Sequence, residues 1–304
     1  MQKTEWKKYR DIHLLVEQKK RLNETISVII PTLNEEKCVA TIIRALQKTV
    51  MGNIGLVDEI IVMDGGSTDR TQKEVEQCGV RFVSCPNETP SRFPGGKGLA
   101  LWYAQFVAVG SIICYVDADI ENFDERFVVG LVGPLLEDRA IGFTKAFYTR
   151  PLSIGNTQDK EGGGRVTELL IRPLLARFYP AASEFIQPLS GEYAFRTTFL
   201  SKLRFSTSYA VETVLILEYL KHFASTTIVQ VDMDERVHQN QSLANLSKMS
   251  AAILDHFALL AKEDGLWCSA GENSFISVKN QKINKEDISQ VMLPPFEDSG
   301  EYGN

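Results

Sequence analysis

The chain lacks the long apolar stretches that a membrane protein needs. No run of about 18 apolar residues, the length that crosses a bilayer, occurs among its 304 residues. The opening segment, residues 1–23, also has no apolar core of the kind found in secretory signals. We therefore expect no membrane partner and a cytoplasmic location.

Cysteine is scarce and follows no recognisable pattern. The five cysteines are odd in number and none has metal-ligand spacing; they are Cys38, Cys78, Cys85, Cys114 and Cys268. This usage predicts reduced thiols, as in cytoplasmic proteins, rather than a disulfide framework.

An excess of positive charge is absent as well. The 33 Lys and Arg are outnumbered by 39 Asp and Glu, which gives a net charge of -6 and argues against a nucleic-acid partner. The sequence contains neither the P-loop pattern G-x-x-x-x-G-K-S/T nor the dinucleotide pattern G-x-G-x-x-G. If the protein binds phosphate groups, other groups, such as a metal ion and lysine, must neutralise their charge.

What the chain does have is an alternation of strands and helices. Short β-branched runs at residues 26–30, 59–63, 80–84 and 111–116 predict buried strands, and helical spacing of apolar residues lies between them. The alternation predicts an α/β fold with a Rossmann-like, mostly parallel sheet flanked by helices.

Other elements are predicted around this unit. An amphipathic helix is expected over residues 4–22, which we interpret as packed on the protein's own surface or at a subunit interface. Downstream, helices are predicted over 121–140, 167–178, 211–223 and 243–260, and strands over 141–148, 189–195 and 226–233. The polar, glycine-rich segment 151–164 predicts a mobile loop, and we expect poor order from about residue 271.

Acidic and polar residues stand where predicted strands end. Asp117 and Asp119 follow the strand at 111–116, residues 31–35 follow the first strand, and Asp64 follows the second. Ligands of open α/β sheets bind at the carboxyl ends of strands, and paired carboxylates suit a divalent cation that neutralises a diphosphate. The alternative for an isolated Asp-x-Asp is a solvated acidic turn.

Two glycine-rich segments precede predicted helices and carry basic residues. Lys97 follows Gly95 and Gly96, and Arg165 and Thr167 follow the glycine run 162–164. Backbone N–H groups at a helix start, together with such side chains, can hold a phosphate or carboxylate. A plain glycine turn and a flexible loop remain the alternative interpretations.

Histidine and glutamate add further candidates. His238 lies just past a predicted strand and is a candidate metal ligand, although a lone histidine is often structural. His13, His222 and His256 fall on predicted helices and are taken as structural. Glu212 begins a predicted helix, where the helix dipole alone would favour an acid.

Taken together, these segments resemble the GT-A glycosyltransferases. Residues 29–36, 62–69 and 116–119 resemble their nucleotide-binding half. More specific segments, which are similar to the glucosyl-3-phosphoglycerate synthases, lie at 95–98, 147–151, 162–169, 172–175, 187–194 and 236–240. Two positions depart from that family. Ser190 stands where the family has glycine, and Gly65 stands where it has serine.

The resemblance implies a GT-A fold and a retaining hexosyltransferase. Glucose would move from a nucleoside diphosphate glucose, with UDP-glucose expected, to the 2-hydroxyl of 3-phosphoglycerate, with Mg²⁺ as cofactor and Mn²⁺ as the alternative. A homodimer and a role in making glucosylglycerate, a compatible solute, are also implied. The chain would divide into an N-terminal helix (1–24), a nucleotide-sugar-binding half (25–145), an acceptor-binding half (146–260) and a partly disordered tail (261–304).

The same resemblance implies roles for individual residues. Asp119 and His238 would bind the metal, and Glu212, Lys97, Arg236 and Leu189 would act at the reacting sugar. The nucleotide sugar would contact Pro31, Thr32, Leu33, Asn34, Glu35, Gly65, Lys97, Asp117, Ala118 and Asp119. The phosphoglycerate would contact Gly164, Arg165, Val166, Thr167, Tyr209 and Asn240.

Several alternatives stay open at this point. The donor sugar could be mannose, or the acceptor free glycerate, on the same fold. An inverting enzyme acting on a lipid phosphate and a non-catalytic nucleotide-sugar-binding protein are more distant alternatives. Retention could follow from front-face attack, which we prefer, or from a protein nucleophile, for which Glu212 is the candidate.

Overall fold

A single mixed sheet forms the centre of the molecule in the computed structural model. The structure describes residues 1–85, 96–150, 152–154, 157–159, 164–237, 241–266, 274–279, 282–287, 292–293 and 295. The strands are β1 Gln2–Glu5, β2 Ile26–Thr32, β3 Glu59–Asp64, β4 Arg81–Ser84, β5 Ile112–Tyr115, β6 Phe143–Thr149, β7 Leu152–Ile154, β8 Thr157–Asp159, β9 Tyr193–Arg196, β10 Phe205–Ser206, β11 Ile228–Glu235, β12 Ser274–Lys279, β13 Lys282–Asp287 and β14 Met292–Leu293.

The helices cover both faces of that sheet. They are α1 Ile12–Leu22, α2 Val39–Thr49, α3 Thr71–Gln77, α4 Lys97–Val107, α5 Arg126–Glu137, α6 Arg172–Phe178, α7 Thr197–Leu200, α8 Val211–His222 and α9 Leu243–Glu263. Short 3₁₀ turns lie at Trp6–Tyr9, Pro180–Glu184 and Ser225–Thr227, and a π-helical turn at Thr167–Ile171 leads into α6. None of the described helices is both long and apolar enough to cross a membrane.

The sheet has eight strands in the order β1-β11-β6-β9-β5-β2-β3-β4. All neighbours run parallel except β9, which is antiparallel to both β5 and β6. The predicted α/β class with a mostly parallel sheet is therefore confirmed. The two further β elements that fall in predicted loop or tail segments, β7–β8 and β12–β13, are separate hairpins.

Strand alternation explains why the sheet is covered on both faces. In β2, Val28 and Ile30 pack into one hydrophobic core with α1, α2 and α5, whereas Ile29 packs into a second core with α4, α8 and α9. Because strands that are buried on both faces need apolar residues at every position, the continuous β-branched run of β2 follows from its place in the sheet.

The N-terminal segment differs from its prediction. Residues 2–5 form β1, which pairs with β11, and the helix begins only at Ile12, where the Asp11 side chain accepts a hydrogen bond from the Leu14 N–H. Trp6 and Lys7 both donate to Asp234, at 2.8 Å each. The contacts of residues 2–7 with β11, which is far away in the sequence, therefore determine the local structure here more than the helical spacing of the apolar residues does.

Several boundaries downstream also differ. The helix predicted over 121–140 is α5, which spans Arg126–Glu137, and the strand predicted from residue 189 begins at Tyr193 because the preceding residues form a turn. The segment predicted as a mobile loop contains the hairpin β7–β8, and the tail contains β12, β13 and β14, the last paired with β10. The division into functional halves stays a prediction.

Parallel register brings polar groups together at one edge of the sheet. Thr32 at the end of β2 lies beside Asp64 at the end of β3, and its hydroxyl donates to the Asp64 carboxylate at 3.1 Å. The neighbouring strand β5 runs into Asp117 and Asp119 at the same edge. The carboxyl edge is therefore the polar end of an otherwise apolar sheet.

The start of α4 packs directly against the main chain of Ser206 and Thr207, and leaves no room for a side chain at the contact. A Cβ added at Gly98 would lie 1.8 Å from the backbone oxygen of Ser206, and one at Gly96 would lie 2.6 Å from that of Thr207. The Leu99 N–H donates to the Thr207 carbonyl at 3.0 Å. Glycine at these positions lets α4 dock directly on the chain that leads to α8.

We expect Gly98→Ala to lower the free energy of unfolding by about 3 kcal/mol, since overpacking against backbone forces α4 to shift. Chemical denaturation measures this value. Gly265→Ala is a suitable control, because its φ is +71° with nothing within 4 Å, so it costs only the backbone strain of about 1 kcal/mol. Equal losses in the two variants would contradict the packing argument.

Candidate active site

A cleft opens at the carboxyl edge of the sheet, between its strand ends, the helical turn that precedes α6, and helices α8 and α9. Its volume is about 190 Å³. The lining side chains come from both halves of the sequence and are Lys97, Asp117, Asp119, Arg150, Gly164, Arg165, Val166, Thr167, Leu189, Tyr209, Glu212, Arg236, Gln241, Leu246, Met249 and Ile253.

Two cations hold the acidic pair at the end of β5. The Lys97 Nζ lies 2.7 Å from Asp117 and 2.7 Å from Glu212. The Arg236 guanidinium lies 3.2 Å from Asp117 and 2.6 Å from Asp119. Asp117 is thus shared between both cations, and Lys97 connects the end of β5 to the start of α8.

Burial makes these contacts strong. Burial alone would raise the pKa of Asp117, but Lys97 and Arg236 outweigh it and hold that pKa at about 2. Burial likewise opposes the charge on Lys97, yet Asp117 and Glu212 raise the Lys97 pKa above its usual range. Both groups therefore remain charged at neutral pH.

A buried acid lies behind the pair. Glu192 is fully buried, lies 3.2 Å from the Arg236 Nε and accepts a 2.5 Å hydrogen bond from the Tyr148 hydroxyl. Burial raises the pKa of Glu192, with Arg236 acting in the opposite direction. Arg150 donates to the Tyr148 hydroxyl at 2.7 Å and stacks over that ring, so the acid cluster reaches a further arginine in the cleft.

Gly191 backs the Asp117 carboxylate directly. A Cβ at this position would lie 2.0 Å from one carboxylate oxygen of Asp117. Any side chain here would displace the carboxylate from Lys97 and Arg236. The turn that precedes β9 therefore fixes the position of Asp117.

The residues predicted for the nucleotide at the ends of β2 and β3 do not line this cleft. Pro31 and Thr32 pair with Met63 and Asp64 in β3, and the Gly65 N–H donates to the Thr32 carbonyl at 2.8 Å. Leu33 is exposed and Ala118 is buried.

Asn34 and Glu35 follow this strand end. Asn34 has a left-handed φ of +61° and accepts from the Thr68 N–H at 2.8 Å. Burial, and then the charges of Asp119 and Asp117, raise the pKa of Glu35 to about 7, which places Glu35 next to the acid pair.

Five of the six residues predicted for the acceptor line the same cleft. Gly164 adopts a left-handed φ of +75°, which ends the glycine run and starts the helical turn that carries Arg165 and Thr167. Val166 and Thr167 are buried, while Tyr209 is half exposed. The Arg165 guanidinium donates to the Gln241 carbonyl at 3.2 Å.

The structure also places in the site residues that the sequence analysis did not assign. Arg150, Glu192 and Tyr148 belong to the ion cluster, and Leu246, Met249 and Ile253 of α9 form an apolar wall. Arg150 follows directly after β6, so the strand-end rule applied to β5 could have found it. A buried glutamate gives no such signal in a sequence.

A divalent cation fits the chemistry of this edge. Asp117 and Asp119 offer hard oxygen ligands, and the Asp119 side chain is 32 % exposed. No group of three or more His, Cys, Asp or Glu that could hold a metal occurs within the described ranges, so further ligands must come from elsewhere. His238 and Asn240, predicted for the metal and the acceptor, lie outside the described residues.

Comparisons with known proteins identify the family to which the chain belongs. Glycosyl transferase family 2 matches residues 27–180. A glucosyl-3-phosphoglycerate synthase of Petrotoga mobilis is 39% identical over 288 residues, which cover 94% of this chain and 88% of that protein.

Two solved structures are similar over nearly the whole chain. One is a glucosyl-3-phosphoglycerate synthase of Mycobacterium tuberculosis in complex with Mn²⁺, UDP-glucose and phosphoglyceric acid, with a TM-score of 0.83, 34% identity and coverage of 98% of both chains. The other is a mannosyl-3-phosphoglycerate synthase of Rubrobacter xylanophilus, with a TM-score of 0.87, 30% identity and coverage of 98% and 95%.

These findings define the class of protein. The chain belongs to glycosyl transferase family 2, and its fold is the GT-A fold that the sequence predicted. Within that class it belongs to the glucosyl-3-phosphoglycerate synthase family.

We expect the metal-free protein to reveal the raised pKa of Glu35. The folded protein keeps a proton that the unfolded chain loses near pH 4.5, so the stabilisation is present at low pH and lost as the pH rises through about 7. The glutamine in Glu35→Gln stays uncharged at every pH. The Tm of this variant minus the Tm of the native chain should therefore rise between pH 5 and pH 8.

Thermal unfolding in the presence of a chelator measures this difference. Glu36→Gln is the matched control: a hydrogen bond from the Arg70 backbone lowers the pKa of Glu36, so its relative Tm should not rise over the same interval. A Tm difference between Glu35→Gln and the native chain that stays constant across that interval would contradict the raised pKa of Glu35.

Proposed function

We propose that the chain transfers glucose from UDP-glucose to the 2-hydroxyl of 3-phosphoglycerate and retains the anomeric configuration. The observation that carries this proposal is that two sets of charged and polar residues line one cleft. We assign Asp117, Asp119 and Lys97 to a donor end of the cleft, and Arg165 and Thr167 to an acceptor end. The related enzyme of known structure was solved with UDP-glucose and phosphoglyceric acid together.

The donor end must offset the charge of a departing diphosphate. A bound Mg²⁺ or Mn²⁺ would be held by Asp119 and, as the resemblance implies, by His238, and would act there as a Lewis acid. Lys97 already lies 2.7 Å from Asp117 and supplies a fixed positive charge beside the leaving group. The strand end from Pro31 to Glu35, with Gly65, is proposed to hold the uridine.

The acceptor end is suited to a phosphate. Arg165 offers a guanidinium, Thr167 a hydroxyl, and the helical turn that follows Gly164 offers N–H groups. Holding the phosphate here places the acceptor hydroxyl near the donor sugar and removes much of the entropic barrier to reaction. These groups favour a phosphorylated acceptor over free glycerate.

Two routes to retention differ in the role of Glu212. Its carboxylate lies 2.7 Å from Lys97 and is almost completely buried. An acid held in this way is a weak nucleophile, because its charge is already engaged by an ammonium group. We therefore propose front-face attack, in which the departing phosphate takes the acceptor proton, with Leu189, Arg236 and Glu212 positioning the sugar.

A mannosyl donor is the second candidate. The similarity to the mannosyl-3-phosphoglycerate synthase extends over 98% of this chain, and nothing in the charged cluster distinguishes the two hexoses. We rank glucose first because the similar glucosyl enzymes include one at 39% identity over 94% of the chain.

Three broader expectations are part of the proposal. A homodimer and synthesis of glucosylglycerate as the physiological role stay predictions from the family resemblance, and a cytoplasmic location stays a prediction from the sequence. Sedimentation of the purified chain would measure its oligomeric state directly.

An activity screen tests the proposed function. The chain should release UDP from UDP-glucose only when 3-phosphoglycerate and Mg²⁺ or Mn²⁺ are present, and a chelator should stop the reaction. Asp119→Asn should lose at least 100-fold in kcat/KM, about 3 kcal/mol of transition-state stabilisation. Asp124→Asn, at a carboxylate outside the cleft that pairs with Arg126, should stay near the native rate.

The arms of this screen separate the alternatives. Faster turnover with GDP-mannose than with UDP-glucose would assign the mannosyl reaction. Faster turnover with glycerate than with 3-phosphoglycerate would exclude the proposed phosphate contacts of Arg165 and Thr167. Tight UDP-glucose binding without turnover on any acceptor would indicate a non-catalytic protein.

We expect Arg165→Ala to raise the KM for 3-phosphoglycerate about 30-fold or more, since a charge-assisted contact to phosphate is worth roughly 2–3 kcal/mol. The KM for UDP-glucose should change less than threefold. Steady-state kinetics with each substrate varied in turn measures both values. Arg177→Ala, at an exposed arginine of α6 outside the cleft, is the control. Equal changes in both KM values would contradict the acceptor role of Arg165.

A further inference from the structure

A lysine lies buried beneath the cleft without touching it. Lys145 is in β6, opposite Tyr193 of β9, and is only 2 % exposed. Its Nζ lies 4.7 Å from the centre of the Tyr193 ring. Within the part of the chain that the structure describes, no carboxylate lies within 4.0 Å of this ammonium group.

The Lys145 Nζ has one well-defined hydrogen-bond acceptor. It donates to the Ser190 carbonyl at 2.7 Å. The Ser190 hydroxyl in turn donates to the carbonyl of Ala146, the residue after Lys145, also at 2.7 Å. Strand β6 and the turn before β9 are therefore connected by a reciprocal pair of hydrogen bonds.

This turn contributes to both parts of the reaction site. Leu189, on one side of Ser190, lines the cleft. Gly191, on the other side, lies against the Asp117 carboxylate with no room for a Cβ. A shift of the Ser190 main chain would move both neighbours at once.

Other side chains fix the approach to the turn. Arg172 donates to the Ile186 carbonyl at 2.8 Å, and Gln230 accepts from the Ile186 N–H at 2.7 Å. Gln187 exchanges hydrogen bonds with the main chain of Tyr148. Up to Gln187 the segment is thus held by neutral groups and an arginine, and the last part, at Ser190, is held by Lys145.

Burial of a lysine costs desolvation free energy, and Lys145 gains one hydrogen bond to the Ser190 carbonyl in return. Burial lowers the pKa of Lys145 to about 7, despite opposing contributions from Glu212 and Glu192. An apolar side chain of similar length would avoid that cost in a purely structural position. Costly polar groups that persist next to a site are typical of function rather than of stability.

We propose that Lys145 is a positioning residue for the transfer reaction, which holds the Leu189–Gly191 turn through the Ser190 carbonyl and so aligns Leu189 and Asp117. This inference rests on the proposed glucosyl transfer. Lys145 acts through the main chain and touches neither substrate.

The test compares Lys145→Met, which keeps the length of the side chain without a donor, with Lys145→Gln, which keeps a neutral donor. We expect kcat to fall at least 10-fold in Lys145→Met and less in Lys145→Gln. The KM for each substrate should stay within about threefold of the native value, because misplacement of reacting groups lowers the rate more than it weakens binding.

Lys19→Met is the matched control. Lys19 is also a buried lysine that donates to a main-chain carbonyl, that of Gly55 at 3.0 Å, but its other partner is Asp58 at the opposite end of β3 from the cleft. This variant should lower the Tm and leave kcat unchanged, whereas Lys145→Met should lower kcat without a comparable loss of Tm.

A readout independent of turnover completes the experiment. Amide hydrogen exchange at residues 187–191 should be faster in Lys145→Met, since the Ser190 N–H bond to the Gln187 carbonyl, 3.2 Å long, belongs to the released turn. If the native chain has no transfer activity, the proposed function fails and this exchange still tests the role of Lys145.

Three results would overturn the inference. One is a kcat within twofold of the native value in the folded Lys145→Met variant. Another is exchange at residues 187–191 that stays unchanged. The third is failure of both variants to fold, which would assign Lys145 to the core.

Discussion

The ion pairs of Arg236 are the interaction on which the rest of the site depends. Its guanidinium is almost fully buried and contacts Asp117, Asp119 and Glu192. Removing one partner from such a buried cluster costs about 3–5 kcal/mol, because the remaining charges are left uncompensated. Three acids could not share this edge of the sheet without it. Burial strengthens the effect, since the pKa of Arg236 is raised by those carboxylates in spite of desolvation.

The same network joins the two parts of the sequence. Lys97 comes from the first part and bonds to Glu212 of the second at 2.7 Å, while Arg236 returns from β11 to the end of β5. The glycines at 98 and 191 follow from this arrangement, because each lets one chain segment reach the network without a Cβ in the way. The two parts of the sequence are therefore joined in one network of ion pairs at this edge of the sheet.

How much could be predicted from sequence depends on whether a residue's role is local. Asp117, Asp119 and Lys97 were found because strand ends and helix starts leave local patterns. Glu192 and Lys145 were not, because burial of a charge depends on partners far away in the chain. Arg236 was assigned to the donor sugar, and the structure places its guanidinium on the acid pair. The N-terminal part of the helix predicted over 4–22 was wrong for the same reason, since residues 2–5 form β1 by pairing with β11 and the helix begins at Ile12.

The charges that line the cleft differ in how far they are already paired. Asp117, Asp119 and Glu212 lie beside Lys97 and Arg236, so carboxylates and cations of this cluster largely offset one another. Arg165 also lines the cleft, but it donates to a carbonyl, and its guanidinium has no acid within 4.0 Å among the described residues. An anion in the cleft would therefore gain more from Arg165 than from Lys97 or Arg236, whose charges are engaged by carboxylates. Under the proposed function, a divalent cation carried with the diphosphate would supply at the acid cluster the positive charge that Lys97 and Arg236 already share with their carboxylate partners.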